Sequence, residues 1–442
     1  MEGPSGLRKL IFIAYSFPPV ATGAAPRCLA LARCMPEGGW TMIPVVASNP
    51  AGLPVDDSTM LLMPEDVLGA RIFVRDPLAG RTGRHPQAGA RDSRRPDFLK
   101  PLRSLIRLYA LIPDKEILWA RRAGRAAAEA AARHGADMIM SFGPPHSCHL
   151  AALSAGRRTG LPVVAHFGDL WLYDSTNEWQ YVSRFGLKMQ RRMEERLARR
   201  ASGIFTTSAS SSAYFSRTYG RACPPLFHLH NGYDPAIARP ADPPSGAPGE
   251  RFLLTYTGFF MGNQTPERFL HGLRMYLDSS PSSRIHFQLV GCLREAHADL
   301  PRMLGLENRM TITGQVPRSE ALEHQRTADA LLILLPPFPG SDVKNPSKLS
   351  EYLLARRPIL GVGCRGELTG MIDMLEAGYT AEHEPAAIAG ALARMERDWA
   401  SGHLRFVKDM EKVASLFDMR RGCRELGHYL DSLARPSDSI GP

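Results

Sequence analysis

At 442 residues the chain exceeds what one hydrophobic core usually serves, and its 44% hydrophobic and 22% charged content is that of an ordinary globular protein, so two domains are expected rather than a disordered or fibrous chain. No apolar run approaches the roughly 18–20 residues of a membrane helix, and seven scattered cysteines without a C-x-x-C pair argue against a zinc knuckle or a disulfide framework and fit a reducing cytoplasm. The formal charge of +10 is uneven: residues 1–236 hold 30 Lys and Arg against 19 Asp and Glu, while residues 237–442 hold 24 against 25.

In chain order, short apolar runs recur, each followed by a turn-rich loop and a helical pattern. Residues 10–14 come first. Arg8 and Lys9 followed by LIFIAYSF superficially resemble a signal peptide, but the run is short and meets Pro18 and Pro19 at once, so a first buried strand is expected. Runs at 42–47, 138–142, 162–167, 203–207 and 226–230 continue the first half, with residues 48–100 less regular. The second half opens again at 252–256 and continues at 285–290, 310–313, 331–335 and 359–362. Strands alternating with helices imply a parallel sheet wound on both faces, and two such series imply two sheets. Between them IARPADPPSGAPGER is rich in Pro, Gly and Ala without apolar periodicity, which makes residues 237–250 a linker.

The positive excess concentrates in residues 81–107 and in the helix-like RFGLKMQRRMEERLARR at 184–200. The first segment interleaves Arg and Lys with Phe98, Leu99, Leu102, Leu105 and Ile106, a pattern suited to an anionic membrane surface. Nucleic acid is the rival partner, but no zinc-finger, RNA-recognition or helix-turn-helix signature accompanies the charge, and basic clusters without such a module are otherwise solvated faces. The expectation is a cytoplasmic protein, peripheral on the inner face of the cell membrane, that binds no nucleic acid.

In open parallel sheets ligands bind beyond the carboxyl ends of the strands. After the first run comes YSFPPVATGAAPR, whose Gly23 precedes a helical pattern; small residues there let backbone approach a ligand, although a tight strand-to-helix turn has the same look. It is not G-x-G-x-x-G and no acidic residue ends the second run, which disfavours a nicotinamide site. GPPHSCH and GDLW follow the runs at 138–142 and 162–167, so His146, His149, His166 and Asp169 are expected at the same sheet edge as Gly23. An i,i+3 histidine pair with distant partners is a weak metal signal, and no metal site is expected.

The segment 328–360, ADALLILLPPFPGSDVKNPSKLSEYLLARRPIL, carries the most information. Residues 331–335 read as a strand buried on both faces, Pro339 and Gly340 as a turn, and Ser347 as a hydroxyl N-cap for a helix starting near Lys348 and stopped by Pro358. Lys348 then sits where free backbone N–H groups already attract an anion. Glu351, three residues on, shares its helix face and offers a carboxylate to sugar hydroxyls. A cation for phosphate beside an acceptor for ribose points to a nucleoside-diphosphate ligand; a helix with one i,i+3 salt bridge is the simpler alternative.

Read in order, YSFPPVATGAAPR, MSFGPPHSCHLAALSA, HFGDLW, LHNGYDP, YTGFF, ITGQVPRSE and NPSKLSEYLLARRPIL resemble the retaining nucleotide-sugar glycosyltransferases of the GT-B fold, group 1 or family 4. The resemblance extends over nearly the whole chain. It implies an α/β protein of two doubly wound, parallel-sheet, Rossmann-like domains facing a cleft. Residues 1–236 would form the acceptor-side domain, 237–250 the linker, 251–414 the nucleotide-sugar domain, and 415–442 a C-terminal helix crossing back to the first domain, with a tail. Lys348 would hold the donor diphosphate, Glu351 the ribose, and Gly23 would bring backbone near the phosphates. Gly258, Gly314, Val316, Asp342, Lys344, Asn345 and Ser347 would complete the donor site, with residues 314–318 beside the nucleobase. Arg27, His146 and Trp171 would serve the acceptor side, and Asp169 and His166 join Lys348 as catalytic candidates. The implied reaction moves a sugar, with retention, to a hydroxyl of a glycan or lipid-linked glycan in polysaccharide biosynthesis, with the nucleotide sugar as co-substrate and no cofactor.

Three departures stand out. The family's E-x7-E pattern would place a first Glu where Val343 stands, with Asp342 next to it. YTGFFMGNQTPE carries no Arg or Lys before Arg268, leaving Asn263 and Gln264 as uncharged substitutes. HFGDLW has Gly168 where relatives carry Arg. The absent Glu and Arg make a non-catalytic binding protein one alternative, and a nucleotide-sugar epimerase, a class that can share the two-sheet architecture, is the other.

Overall fold

Apolar runs too continuous to have a solvent face become the strands of two wholly parallel sheets. A computed structural model describes residues 6–20, 22–48, 55–79, 111–173, 183–244, 249–260 and 264–434. The first sheet contains β1 (Arg8–Ala14), β2 (Trp40–Ala47), β3 (Ile72–Val74), β4 (Met138–Gly143), β5 (Val163–Phe167), β6 (Gly203–Thr206) and β7 (Leu226–His228). Their order is β3-β2-β1-β4-β5-β6-β7. The second contains β8 (Phe252–Thr257), β9 (Ile285–Val290), β10 (Met310–Ile312), β11 (Ala330–Leu334), β12 (Ile359–Val362) and β13 (Gly378–Ala381), in the order β10-β9-β8-β11-β12-β13.

Strand order reverses between β1 and β4 in one sheet and between β8 and β11 in the other, and in doubly wound sheets such switch points open a crevice beyond the strand ends. Register sets like against like: Ile11 pairs with both Ile43 and Ile139, and Leu331 with Ile359. β3 and β13 have no counterpart among the apolar runs read from the sequence. β3 is three residues long with Phe73 57% exposed, and β13, GYTA, begins on Gly378 at φ +156°, so neither offers a strong apolar signal.

By its contacts the chain divides into one unit of Met1–Pro235 with Phe417–Pro442 and another of Ala236–Leu416. Each has its own core. In the first, Leu10, Phe12 and Met140 of the sheet pack with Leu29, Trp40 and, from the helix Met419–Ala434, Met419, Cys423, Leu426 and Leu430. That helix is drawn very close: a Cβ at Gly427 would run into the Gly38 carbonyl, and one at Gly38 into the Cys423 carbonyl. Tyr233 holds the start of this segment, donating from its N–H to the Phe417 carbonyl at 2.8 Å and accepting from the Met419 N–H at 2.9 Å. In the second unit Phe252, Tyr256, Phe287, Leu332, Leu360 and Trp399 are among the buried core.

Candidate functional site

The second unit's switch point is built from small and aromatic residues at the end of β8. Tyr256 and Thr257 are buried, and Gly258 follows at φ +118°, a conformation that favours glycine. The Gly258 N–H donates to the Val290 carbonyl at 2.9 Å, while a Cβ on Gly291 would strike the Gly258 carbonyl. A Cβ on Gly258 would itself lie 3.0 Å from Lys348 Nζ. Bare backbone therefore lets the lysine reach down onto the strand end.

Lys348 opens the eight-residue helix Lys348–Ala355. Its Nζ donates to the Tyr256 hydroxyl at 2.8 Å and lies 4.0 Å from that ring's centroid, and the ring stacks on Phe260. Burial pushes the ammonium's pKa down, with nearby Tyr352 and Glu351 opposing the shift. No carboxylate among the described residues lies within ion-pair distance of it. A cation held by a π face and a neutral hydroxyl lacks full counter-charge, so an anion arriving there is attracted strongly.

Glu351 does not form the i,i+3 pair with Lys348 that the simpler reading of the helix required. Its Oε1 accepts from Arg318 at 2.7 Å and its Oε2 from Gln325 Nε2 at 3.4 Å, both on the helix Arg318–Thr327. Gln325 also donates to Thr257 Oγ1 at 3.1 Å, and Tyr352 OH accepts from the Thr257 N–H at 3.1 Å. Arg318, Gln325, Tyr256 and Tyr352 thus belong to the same constellation as Lys348 and Glu351. Sequence reasoning missed them because each reaches the lysine helix from a separate element or a neighbouring position, and no spacing announces such a contact.

The cap expected at Ser347 is corrected. Ser347 has helical backbone angles and its side chain caps nothing, because the first turn already begins with the Leu349 N–H donating to the Pro346 carbonyl. The leading N–H groups are left without a side-chain cap. Before them Gly340 turns at φ +83° into a short 3-10 turn, Ser341–Val343, so Asp342 and Val343 lie on a tight loop followed by half-buried Lys344 and buried Asn345. A Cβ at Gly366 would strike the Asp342 backbone, which fixes this loop against the segment after β12. Gly314, at φ +79°, and Val316 lie in the loop after β10, tied to the lysine helix through Arg318 and Glu351. Gln264 donates to the Leu334 carbonyl, and Arg268 pairs with exposed Glu384 at 3.1 Å. Asn263 lies outside the described residues.

In the first unit the expected acceptor-side residues cluster but turn inward. His166 is fully buried, stacked on Phe142 at 4.5 Å, and accepts from Arg27 Nε at 3.0 Å. Arg27 is 4% exposed and also donates to the carbonyls of His230 at 2.7 Å and Leu229 at 2.9 Å. Burial beside that guanidinium holds the imidazole neutral, its pKa pushed well down. His149 Nδ1 meets Ser141 Oγ at 2.9 Å, and His146 stacks on Trp171 at 5.3 Å. Trp171 donates to Gln190 Oε1 at 3.1 Å, next to Glu194, whose carboxylate accepts from Tyr214 and Tyr219. His166, Arg27, His146 and Trp171 are therefore buried at the ends of β4 and β5 and among the loops that follow them; aromatic and imidazole side chains filling a sheet edge produce the same sequence pattern as a site. Asp169 is the member of this group that is only half-buried. Gly168 is tight as well, since a Cβ there would lie 3.0 Å from the Gly143 carbonyl, which leaves little room for the arginine of relatives. Gly23 has nothing near its missing Cβ, so sterics alone do not demand glycine there.

Residues 81–107 lie outside the described residues. The other basic segment is the helix Arg184–Ala198, capped by Ser183 Oγ, which accepts from the Gly186 N–H at 3.2 Å. It buries Gln190, Glu194 and Leu197 and exposes Arg184, Phe185, Lys188, Arg191, Arg192 and Arg196.

Residues 81–237 match the family described as Glycosyltransferase Family 4. Sucrose-phosphate synthase from Thermosynechococcus elongatus shares the fold at a TM-score of 0.67 and 15% identity, with 96% of this chain and 99% of that one covered. Anabaena HepE, solved in complex with UDP and glucose, aligns at a TM-score of 0.59 and 16% identity over 96% of this chain and all of its own. The lipopolysaccharide outer core galactosyltransferase WaaB, in its apo form, aligns at 0.55 and 13% identity over 96% of this chain and 99% of its own. No curated protein matches the chain in sequence.

Proposed function

We propose that this chain, a glycosyltransferase with a family 4 segment on a GT-B fold, moves a sugar from a nucleoside-diphosphate donor to a hydroxyl of a glycan or lipid-linked glycan. The observation that carries the reading is Lys348, a half-buried cation without a carboxylate partner among the described residues, at the uncapped start of a helix and above bare backbone at Gly258. Loss of the diphosphate builds negative charge, and the ammonium with the first-turn N–H groups would stabilise that charge where it develops. The reading needs no metal. Retention follows if the acceptor hydroxyl attacks on the face the diphosphate leaves and passes its proton to the departing phosphate oxygen, which removes the need for a protein base. Asp169 is then a positioning candidate. Glu351 takes the ribose hydroxyls on the lone pairs that Arg318 and Gln325 leave open.

Membrane docking belongs to the same reading: the exposed Arg and Lys of the helix Arg184–Ala198, with Phe185, suit an anionic lipid surface. The HepE complex makes UDP-glucose the first donor to try. Incubating the chain with a panel of nucleotide sugars and an acceptor mixture tests the proposal. Released nucleoside diphosphate supports transfer or hydrolysis, whereas an isomerised sugar would mean an epimerase. Thermal stabilisation without turnover would mean a binding protein, the outcome that Val343 in place of the pattern's first Glu favours.

A further inference from the structure

The first unit holds another cluster of cations that the donor reading leaves without a role. The helix Ile117–His134 is the next described helix after β3 in the chain, and its first turns place Leu118, Arg121, Arg122 and Arg125 with Pro77 around a cavity of about 280 Å³. Spacings of three and four residues put these side chains on one side of the helix. All three arginines are exposed, and none forms an ion pair or hydrogen bond with another of the described residues. Three acids near the cavity are turned away: Asp76 is 5% exposed and accepts from Tyr15 OH at 2.7 Å and the Leu78 N–H at 2.9 Å, Glu116 is 7% exposed, and Asp114 accepts from the Ser147 N–H at 2.9 Å; Glu129, one turn beyond Arg125, is exposed.

Like charges one turn apart repel, so three guanidinium groups around one hollow favour an anion that neutralises them. Planar forks match phosphate oxygens two at a time, and Pro77 with Leu118 gives an apolar wall for whatever the phosphate is attached to. The position within the unit is informative too. Trp119 Nε1 donates to the Val74 carbonyl at 3.1 Å and Tyr15 binds Asp76, so the cavity lies at the carboxyl ends of β1 and β3, on the sheet edge shared by the loops after β4 and β5. We propose that Arg121, Arg122 and Arg125 form a phosphate-binding pocket that takes the phosphate group of the acceptor. Naming the ligand as the acceptor rests on the glycosyltransferase reading; the phosphate site stands on the pocket alone.

The test titrates hexyl phosphate and inorganic phosphate into the full chain and into an R121Q/R122Q/R125Q variant, with UDP titrated in parallel. The expected result is hexyl phosphate binding that exceeds inorganic phosphate, falls about tenfold or more in the variant, and leaves UDP binding unchanged. Equal binding by both chains, or none by the wild type, overturns the pocket. Hexyl phosphate binding without any UDP binding upholds the pocket and removes the donor reading instead. Sedimentation with vesicles of phosphatidylcholine, alone or with phosphatidic acid, identifies the source: variant-sensitive binding to the phosphatidic acid vesicles points to a lipid phosphate, and its confinement to hexyl phosphate points to a soluble one. If circular dichroism shows the triple variant unfolded, the single R122Q variant takes its place under the same criterion.

Discussion

Lys348 shows what one residue's surroundings add to its identity. The sequence places a lysine at a helix start, which any solvated helix also does; the structure seats it over Tyr256 with no carboxylate among the described residues in ion-pair reach. Because burial lowers its pKa, the ammonium loses its proton at a lower pH than an ordinary lysine. UDP affinity should therefore decline as pH rises, beginning below the range in which an ordinary lysine titrates, and Lys348→Arg, which stays charged, should flatten the profile. A calorimetric titration showing the same pH profile for both chains would contradict this. Glu116 gives a stability counterpart. Burial and neighbouring Asp114 raise its pKa, so the folded chain holds the proton more tightly than the unfolded one. Its stabilising effect is full at pH values below the ordinary carboxylate range and is lost as pH rises through the raised value. Glu116→Gln should remove that decline, and urea midpoints measured across this range would reveal it. Lys348 and Glu351 were legible as residues, while their partners Tyr256, Arg318 and Gln325 were not, since contacts between elements leave no spacing in the chain.

At the scale of elements, eleven apolar runs located eleven of the thirteen strands among the described residues, and the two missed, β3 and β13, are two of the four edge strands. Buried central strands announce themselves by continuous hydrophobicity, whereas an edge strand of three or four residues needs little of it. The histidine-rich loops are ambiguous for the converse reason: buried His149 meets Ser141 and buried His166 accepts from Arg27, and a sequence does not tell an inward imidazole from an outward one. Close packing of helices was also invisible. Gly427 against the Gly38 carbonyl predicts that Gly427→Ala forces the C-terminal helix outward and destabilises the first unit by about 1–3 kcal/mol. A chemical denaturation midpoint unchanged from wild type would refute that. Gly291→Ala should likewise displace the backbone at Gly258 and weaken UDP binding, because the new methyl meets that carbonyl.

For the whole molecule, the sequence anticipated two sheets and an uneven charge, and both have physical counterparts in two cores and an exposed basic helix. A surface charge of this kind acts over about a Debye length, so binding to anionic vesicles should weaken steeply between low and high salt. Replacing Lys188, Arg191 and Arg192 by Gln should reduce it, and equal sedimentation with neutral and anionic vesicles would count against membrane docking. The proposed donor site turns on one cation stabilising a departing diphosphate. Its most direct measurement is the rate of nucleoside-diphosphate release from the preferred nucleotide sugar by the wild type and by Lys348→Ala. Removal of such an electrostatic contact should slow release about 100-fold or more. Release at the wild-type rate would contradict the assignment of Lys348 and, with it, the proposed donor site.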